Sequence, residues 1–276
     1  MSNKAVDYVG DYTFGLEIPE DSQGDQRIPQ GNGYGGFKVA DAGGLTLAGR
    51  TADGLSFSVG SFAGPAGQIV VFVPFSPSQG SLLGCPVITA GSVNNGLAGS
   101  LSWSKGKAPA VSKDYAYRAG FPALDLQVAG GKYSSPGIGG VLMDLPNVDG
   151  NARLNFAEGG LLAGQAPTVV FSIRNLKPSL AVQTVTLPDA GGTLNPARVS
   201  FAILASPPGQ FNGSLTIPHS LPALVRKVSY QGTVVRLGSS YQAVGFFLMP
   251  QLPQPGQTLT TSPVLSGQVV LEATGP

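Results

Sequence analysis

The chain has 276 residues, of which 42% are hydrophobic and only 11% charged, with a formal net charge of +1. Intrinsic disorder needs high charge and low hydrophobicity, so this composition excludes it. A near-neutral chain also builds no long-range field to gather nucleic acid or an anionic membrane surface.

Strand patterns dominate from the N-terminus. Residues Tyr8 to Leu16 alternate, with Tyr8, Tyr12, Phe14 and Leu16 on one face. After a Gly/Pro/Asn loop, Tyr34 to Val39 reads as the next strand. Asp41-Ala42-Gly43-Gly44 then turns into Leu45 to Arg50, and Ala52-Asp53-Gly54 turns into Leu55 to Val59. Asp-Gly between two alternating runs is a strong hairpin signal. Further strands are expected at Gln68 to Phe75, Ser81 to Ile88 and Leu97 to Lys105.

The stretch from Ala108 to Asp149 is rich in Pro and Gly and reads as an irregular connection holding one or two strands. Regular alternation returns at Ala152 to Phe156, Thr168 to Leu176, Gln183 to Leu187 and Ala197 to Leu204. It continues through Phe211 to Ile217, Arg226 to Leu237, Gln242 to Met249 and Val264 to Ala273. Ser220 to Val225 is the one weak helical candidate, and it is short and interrupted by proline.

Short turns force neighbouring strands to pair antiparallel. The expected fold is therefore all-β: an antiparallel meander of roughly 14 strands forming a barrel or barrel-like double sheet. It reads as a single β domain with two similar halves, about residues 8–107 and 151–276, joined by residues 108–150. The halves share a phrase, Leu97-Ala98-Gly99-Ser100-Leu101-Ser102-Trp103 and Phe211-Asn212-Gly213-Ser214-Leu215-Thr216-Ile217. A glycine inside a strand marks a bulge, a sharp bend or close backbone approach.

Candidate chemistry is sparse. The lone cysteine, Cys85, lies in an apolar run and reads as a small buried hydrophobe. One histidine, His219, reads as a turn residue, and one His with one Cys cannot build a zinc site. The acidic stretch Glu17 to Asp25 has the look of a calcium loop but lacks its ligand spacing, so it reads as a solvated hairpin loop. Asp53, Asp144, Asp149 and Glu158 read as turn formers, and Arg226-Lys227 as ordinary exposed strand charges. Gly31-Asn32-Gly33-Tyr34-Gly35-Gly36 has neither dinucleotide-binding nor P-loop spacing. No catalytic residue, metal ligand or cofactor site is expected, and the chain does not read as an enzyme.

The candidate ligand site is aromatic: Trp103, Tyr115, Tyr117, Phe121 and Tyr133, in or just before the irregular middle. Aromatic rings with polar edges suit sugar rings.

The glycine-and-aromatic phrases run the length of the chain. They include Tyr8-Val9-Gly10-Asp11-Tyr12-Thr13-Phe14, Pro29-Gln30-Gly31, Gly80-Ser81-Leu82-Leu83-Gly84, Trp103-Ser104-Lys105, Tyr230-Gln231-Gly232 and Gly245-Phe246-Phe247-Leu248. In these the chain resembles a functionally uncharacterised, glycine-rich β module found near the C-termini of large exported proteins of environmental bacteria. The resemblance implies one continuous domain in an extracellular or cell-surface setting, and it brings no catalytic residues. No stretch approaches the length of a transmembrane helix. Met1-Ser2-Asn3-Lys4 carries no signal-peptide core, which leaves a cytoplasmic protein or, as the composition favours, a piece of a longer exported chain whose signal and anchor lie elsewhere.

The expected function is a non-catalytic structural or binding module of a bacterial surface protein, with a glycan or another surface protein as partner. Alternatives are a lipocalin-like barrel holding a small apolar ligand, which requires an open lumen, and a secreted glycan-active protein, which requires a facing carboxylate pair. An outer-membrane barrel, which would carry aromatic girdles, ranks last, because prolines interrupt several strands and aromatic residues make up only 8% of the chain.

Overall fold

The computed structural model describes residues 5–75, 80–162, 164–219 and 224–274. Residues 220–223, which hold most of the weak helical candidate, lie outside the described residues. The first group of strands is β1 (Gly10–Glu17), β2 (Gly33–Val39), β3 (Gly44–Arg50), β4 (Ser56–Phe62), β5 (Val71–Pro74), β6 (Ser81–Gly84), β7 (Val87–Thr89), β8 (Gly96–Lys105) and β9 (Phe121–Lys132). The second is β10 (Ala152–Glu158), β11 (Thr168–Arg174), β12 (Thr184–Thr186), β13 (Ser200–Ile203), β14 (Gln210–Ile217), β15 (Arg226–Leu237), β16 (Ser240–Pro250) and β17 (Val264–Ala273). The only helices among the described residues are three single turns of 3-10 helix.

The two groups form separate antiparallel sheets. The first runs β4-β3-β2-β1-β9-β8-β6-β5, with β7 beside β8; the second runs β12-β11-β10-β17-β16-β15-β14-β13. In each, the last strand returns to pair with the first, β9 with β1 and β17 with β10. That return curls each meander into a nearly closed barrel and removes most exposed edges. The gap between β4 and β5 is spanned by one bridge, Ala63 to Ile69.

Among the described residues the count is seventeen strands rather than about fourteen. Part of the difference is Ser81 to Ile88, which is two strands. Pro86 has no N–H to offer a ladder and splits the run into β6 and β7. Another part is β9, twelve residues long, inside the stretch that reads as a connection. It pairs with both β1 and β8 and completes the first barrel.

A recurring cross-strand device explains much of the glycine content. Phe14 faces Gly35 in register, and Phe57 faces Gly49. In the second barrel Phe211 faces Gly232, Tyr230 faces Gly213, and Phe247 faces Gly267. At each of the five glycines, an added Cβ would run into the facing ring. The aromatic side chain thus lies across the backbone of its partner strand and fills the narrow lumen.

The interiors are filled. Tyr12, Phe14, Leu16, Leu47, Leu82 and Trp103 pack the first barrel, and Phe211, Tyr230, Val234, Phe247 and Met249 the second. The barrels are also knitted to each other. Phe246 on β16 packs into the first core, while Tyr133, just after β9, packs into the second. Tyr34 Oη donates to Gln231 Oε1 at 3.1 Å, and the Asn32 N–H donates to the Gly245 carbonyl at 3.1 Å. The shared seven-residue phrase does not mark equivalent strands. Its first copy lies in β8, the last strand but one of its meander, and its second in β14, which three further strands follow. Gly99 sits at φ 143 against Pro86, whereas Gly213 makes room for the Tyr230 ring.

Cys85 is not buried: its side chain is exposed at the junction of β6 and β7. Leu82 and Pro86 point inward there, and Leu83 and Cys85 outward. The thiol of the folded protein should therefore react with an aromatic disulfide reagent to the same extent without denaturant as with it. Protection in the native state would contradict this placement.

Candidate functional site

The segment between β8 and β9 forms the clearest candidate site. It is tied down at several points. The Tyr115 carbonyl accepts the Val264 N–H at 3.0 Å, beside a parallel bridge between Ala116 and Val264. Tyr117 takes a left-handed backbone conformation (φ 49), unusual for a bulky residue. Its hydroxyl accepts the Ser266 N–H at 2.9 Å, and burial pushes its phenol well above the ordinary tyrosine range. The segment of the first barrel is thereby pinned to β17 of the second.

A groove of about 860 Å³ opens over this junction. Its walls include Tyr115, Tyr117 and Phe121 together with Ile28, Leu124 and Leu265. Polar groups enter from Asp25, Arg27, Arg118, Gln257 and Thr261. Arg118 lies over the Tyr115 ring, 5.3 Å from its centroid, and donates to the carbonyls of Ala110 at 2.6 Å and Ser112 at 2.9 Å.

Three of the five aromatic candidates thus meet in one groove. The other two do not. Trp103 is fully buried and packs edge-on against Phe121, with centroids 4.7 Å apart and the planes at 76°. It supports the groove from within. Tyr133 belongs to the second core and lines a separate cleft with Pro207 and Pro208.

The acidic loop beside the groove is closed upon itself. Gln30 accepts the Gly24 N–H at 2.6 Å and donates to the carbonyls of Ser22, Asp25 and Ile28. Carbonyl oxygens that a cation would need are turned to that amide instead. Asp25 is paired with Arg27 at 2.8 Å, and this hydrogen-bonded pairing holds its carboxyl down at about 2. Among the described residues no three His, Cys, Asp or Glu side chains come together as a metal site.

The structure also reveals a charged cluster that strand reading did not single out. Lys105 Nζ lies 2.8 Å from Asp53 Oδ2, 2.9 Å from Asp114 Oδ2 and 2.8 Å from the Ala116 carbonyl. The Lys105 and Asp53 side chains are wholly enclosed, and that of Asp114 is 26% exposed. One signal was present in the sequence: Lys105 follows Leu101 and Trp103 at inward positions of β8. A lysine on a buried face requires a carboxylate partner. Asp53 does form a turn, but its carboxylate also serves that lysine.

Arg226 is likewise turned inward rather than exposed, while Lys227 is exposed. Its guanidinium donates to the Pro250 carbonyl at 3.3 Å and to Gln165 Oε1 at 3.4 Å, and burial pulls its pKa down. As the first residue of β15 it shares the inward face with Val228 and Tyr230. His219 follows the end of β14, half-buried. No helix among the described residues is long and apolar enough to cross a membrane.

Comparison with family models, with curated proteins and with solved structures returned no match.

Proposed function

We propose that the chain is a non-catalytic binding module of an exported bacterial surface protein, and that it holds a glycan in the groove over Tyr115, Tyr117 and Phe121. The observation that carries this reading is the groove itself. It is of ligand size, with apolar and aromatic walls and a few polar side chains at its rim. Sugar rings stack on aromatic faces and direct their hydroxyls to such a rim. The filled barrel interiors favour this surface site over a lipocalin-like lumen. The low charge of the chain agrees with a polar but weakly charged ligand.

Ligand-observed NMR with a panel of neutral and acidic oligosaccharides tests the proposal. At least one class should give saturation transfer, and Tyr115→Ala should weaken it by about tenfold, the worth of one ring contact. Tyr115 is only part-buried, so the variant should keep its melting temperature. Absence of binding across the panel, or binding indifferent to Tyr115→Ala, would sink it.

A further inference from the structure

The cluster around Lys105 presents the reactants of a condensation. We propose that Lys105 and Asp53 join in an intramolecular amide, with Asp114 as the proton relay. This inference stands apart from the ligand reading, since it concerns an enclosed ion pair; the groove above that pair is a second one, bordered like the first by Tyr115 and Val264.

The amine nitrogen and the carboxylate are held 2.8 Å apart, and neither side chain is exposed to solvent. Fixing two reactants in contact replaces a bimolecular encounter with a unimolecular step. Asp53 is oriented by its other oxygen: Oδ1 accepts the Thr51 hydroxyl at 2.6 Å and faces the Leu55 N–H at 3.4 Å. Both donors would stabilise negative charge growing on that oxygen. Oδ2, the oxygen facing Lys105, is left as the departing group.

The thermodynamic direction also depends on burial. In water, an ammonium and a carboxylate are well solvated and resist condensation. Enclosed, both charges lose that solvation, whereas the neutral amide has far less to lose and keeps an acceptor for its N–H in the Ala116 carbonyl. Condensation therefore removes the desolvation penalty of the pair.

The Lys105 ammonium passes one proton to Asp114, and the freed amine attacks Cγ of Asp53. The C–N bond forms, and the C–Oδ2 bond breaks. Two protons originally on nitrogen leave on Oδ2 as one water, delivered through Asp114, which ends unchanged. No oxidant or reductant is needed. The one remaining N–H donates to the Ala116 carbonyl, already 2.8 Å from the nitrogen. Asp114 is held by the Ala116 N–H at 3.0 Å and borders an open groove of about 460 Å³, through which the water can leave. The product would tie the turn between β3 and β4 to the end of β8.

Intact-mass measurement of the purified chain under denaturing conditions tests this directly. The expected mass is one water below the sequence mass. A tryptic map should contain a branched peptide joining Lys105 to Asp53, uncut at Lys105. Lys105→Arg and Asp53→Ala should each restore the full sequence mass, and Asp114→Asn should slow formation by about a hundredfold or more. The wild-type chain decides the matter even if a variant folds poorly. Linear peptides with trypsin cutting at Lys105 would overturn the proposal. So would a water loss confined to a linear peptide containing Asp53-Gly54, since that is a cyclic imide. Unslowed formation in Asp114→Asn would overturn the relay.

Discussion

Gly35→Ala is expected to destabilise the protein by about 1–3 kcal/mol, the usual cost of forcing a methyl group into a filled core. Gly35 lies in register with Phe14, and a Cβ there would strike the tip of the Phe14 ring and press on the Ala48 carbonyl. The ring has little room to retreat, because Phe37 packs beside it at 6.2 Å between centroids. Phe14→Leu alone should cost about 1–3 kcal/mol through the cavity left by the shortened side chain. Together the two changes should cost clearly less than their sum, because the alanine methyl enters the space that leucine vacates. Denaturant midpoints for the four members of this double-mutant cycle read the coupling directly. Additive costs would mean that ring and glycine are neighbours without being partners.

That pairing also shows where the fold was legible. Strands such as β1, β3, β15 and β16 declare themselves through alternation of apolar and polar residues, and their glycines recur opposite aromatics once the register is known. Within one strand, though, a glycine cannot say which ring will cover it. β9 was concealed for this reason. Its Gly130 faces Phe14, and its Pro122 lies near the strand's start, so local composition resembles a loop while tertiary pairing makes a strand. Cys85 and Arg226 reverse expectation through alternation too. Cys85, just past β6, continues its outward positions together with Leu83, and the start of β15 places Arg226 on the face shared with Val228 and Tyr230.

The groove was partly legible. Tyr115, Tyr117 and Phe121 stand out as aromatics in a proline- and glycine-rich stretch. Ile28 and Leu265, from distant parts of the chain, join them only because the 115–121 segment bridges to β17. Closed loops hide in the same way. The acidic residues near Asp25 suggest a cation until the side chain of Gln30 is seen to occupy the carbonyls.

Lys105→Met should produce the larger loss. It leaves Asp53 enclosed with no cation, facing Asp114, and removing one partner of a buried ion pair typically costs about 3–5 kcal/mol. The Thr51 hydroxyl and the Leu55 N–H remain, but two neutral donors do not replace an ammonium 2.8 Å away. Adding Asp53→Leu removes the stranded charge, and apolar replacements of a buried pair are often neutral or stabilising. The double variant should therefore recover most of the electrostatic cost, while Asp114 turns to the solvent it already partly meets. Recovery has a limit if the amide is present. Lys105 and Asp53 lie 52 positions apart. A covalent link across such a loop restricts the unfolded chain by about 4 kcal/mol in the entropy model used for disulfides. Denaturant unfolding of wild type, Lys105→Met and the double variant separates the two contributions. Near-complete recovery in the double variant describes an ion pair alone, whereas a persistent deficit of about that size is the energetic counterpart of the missing water in the mass spectrum.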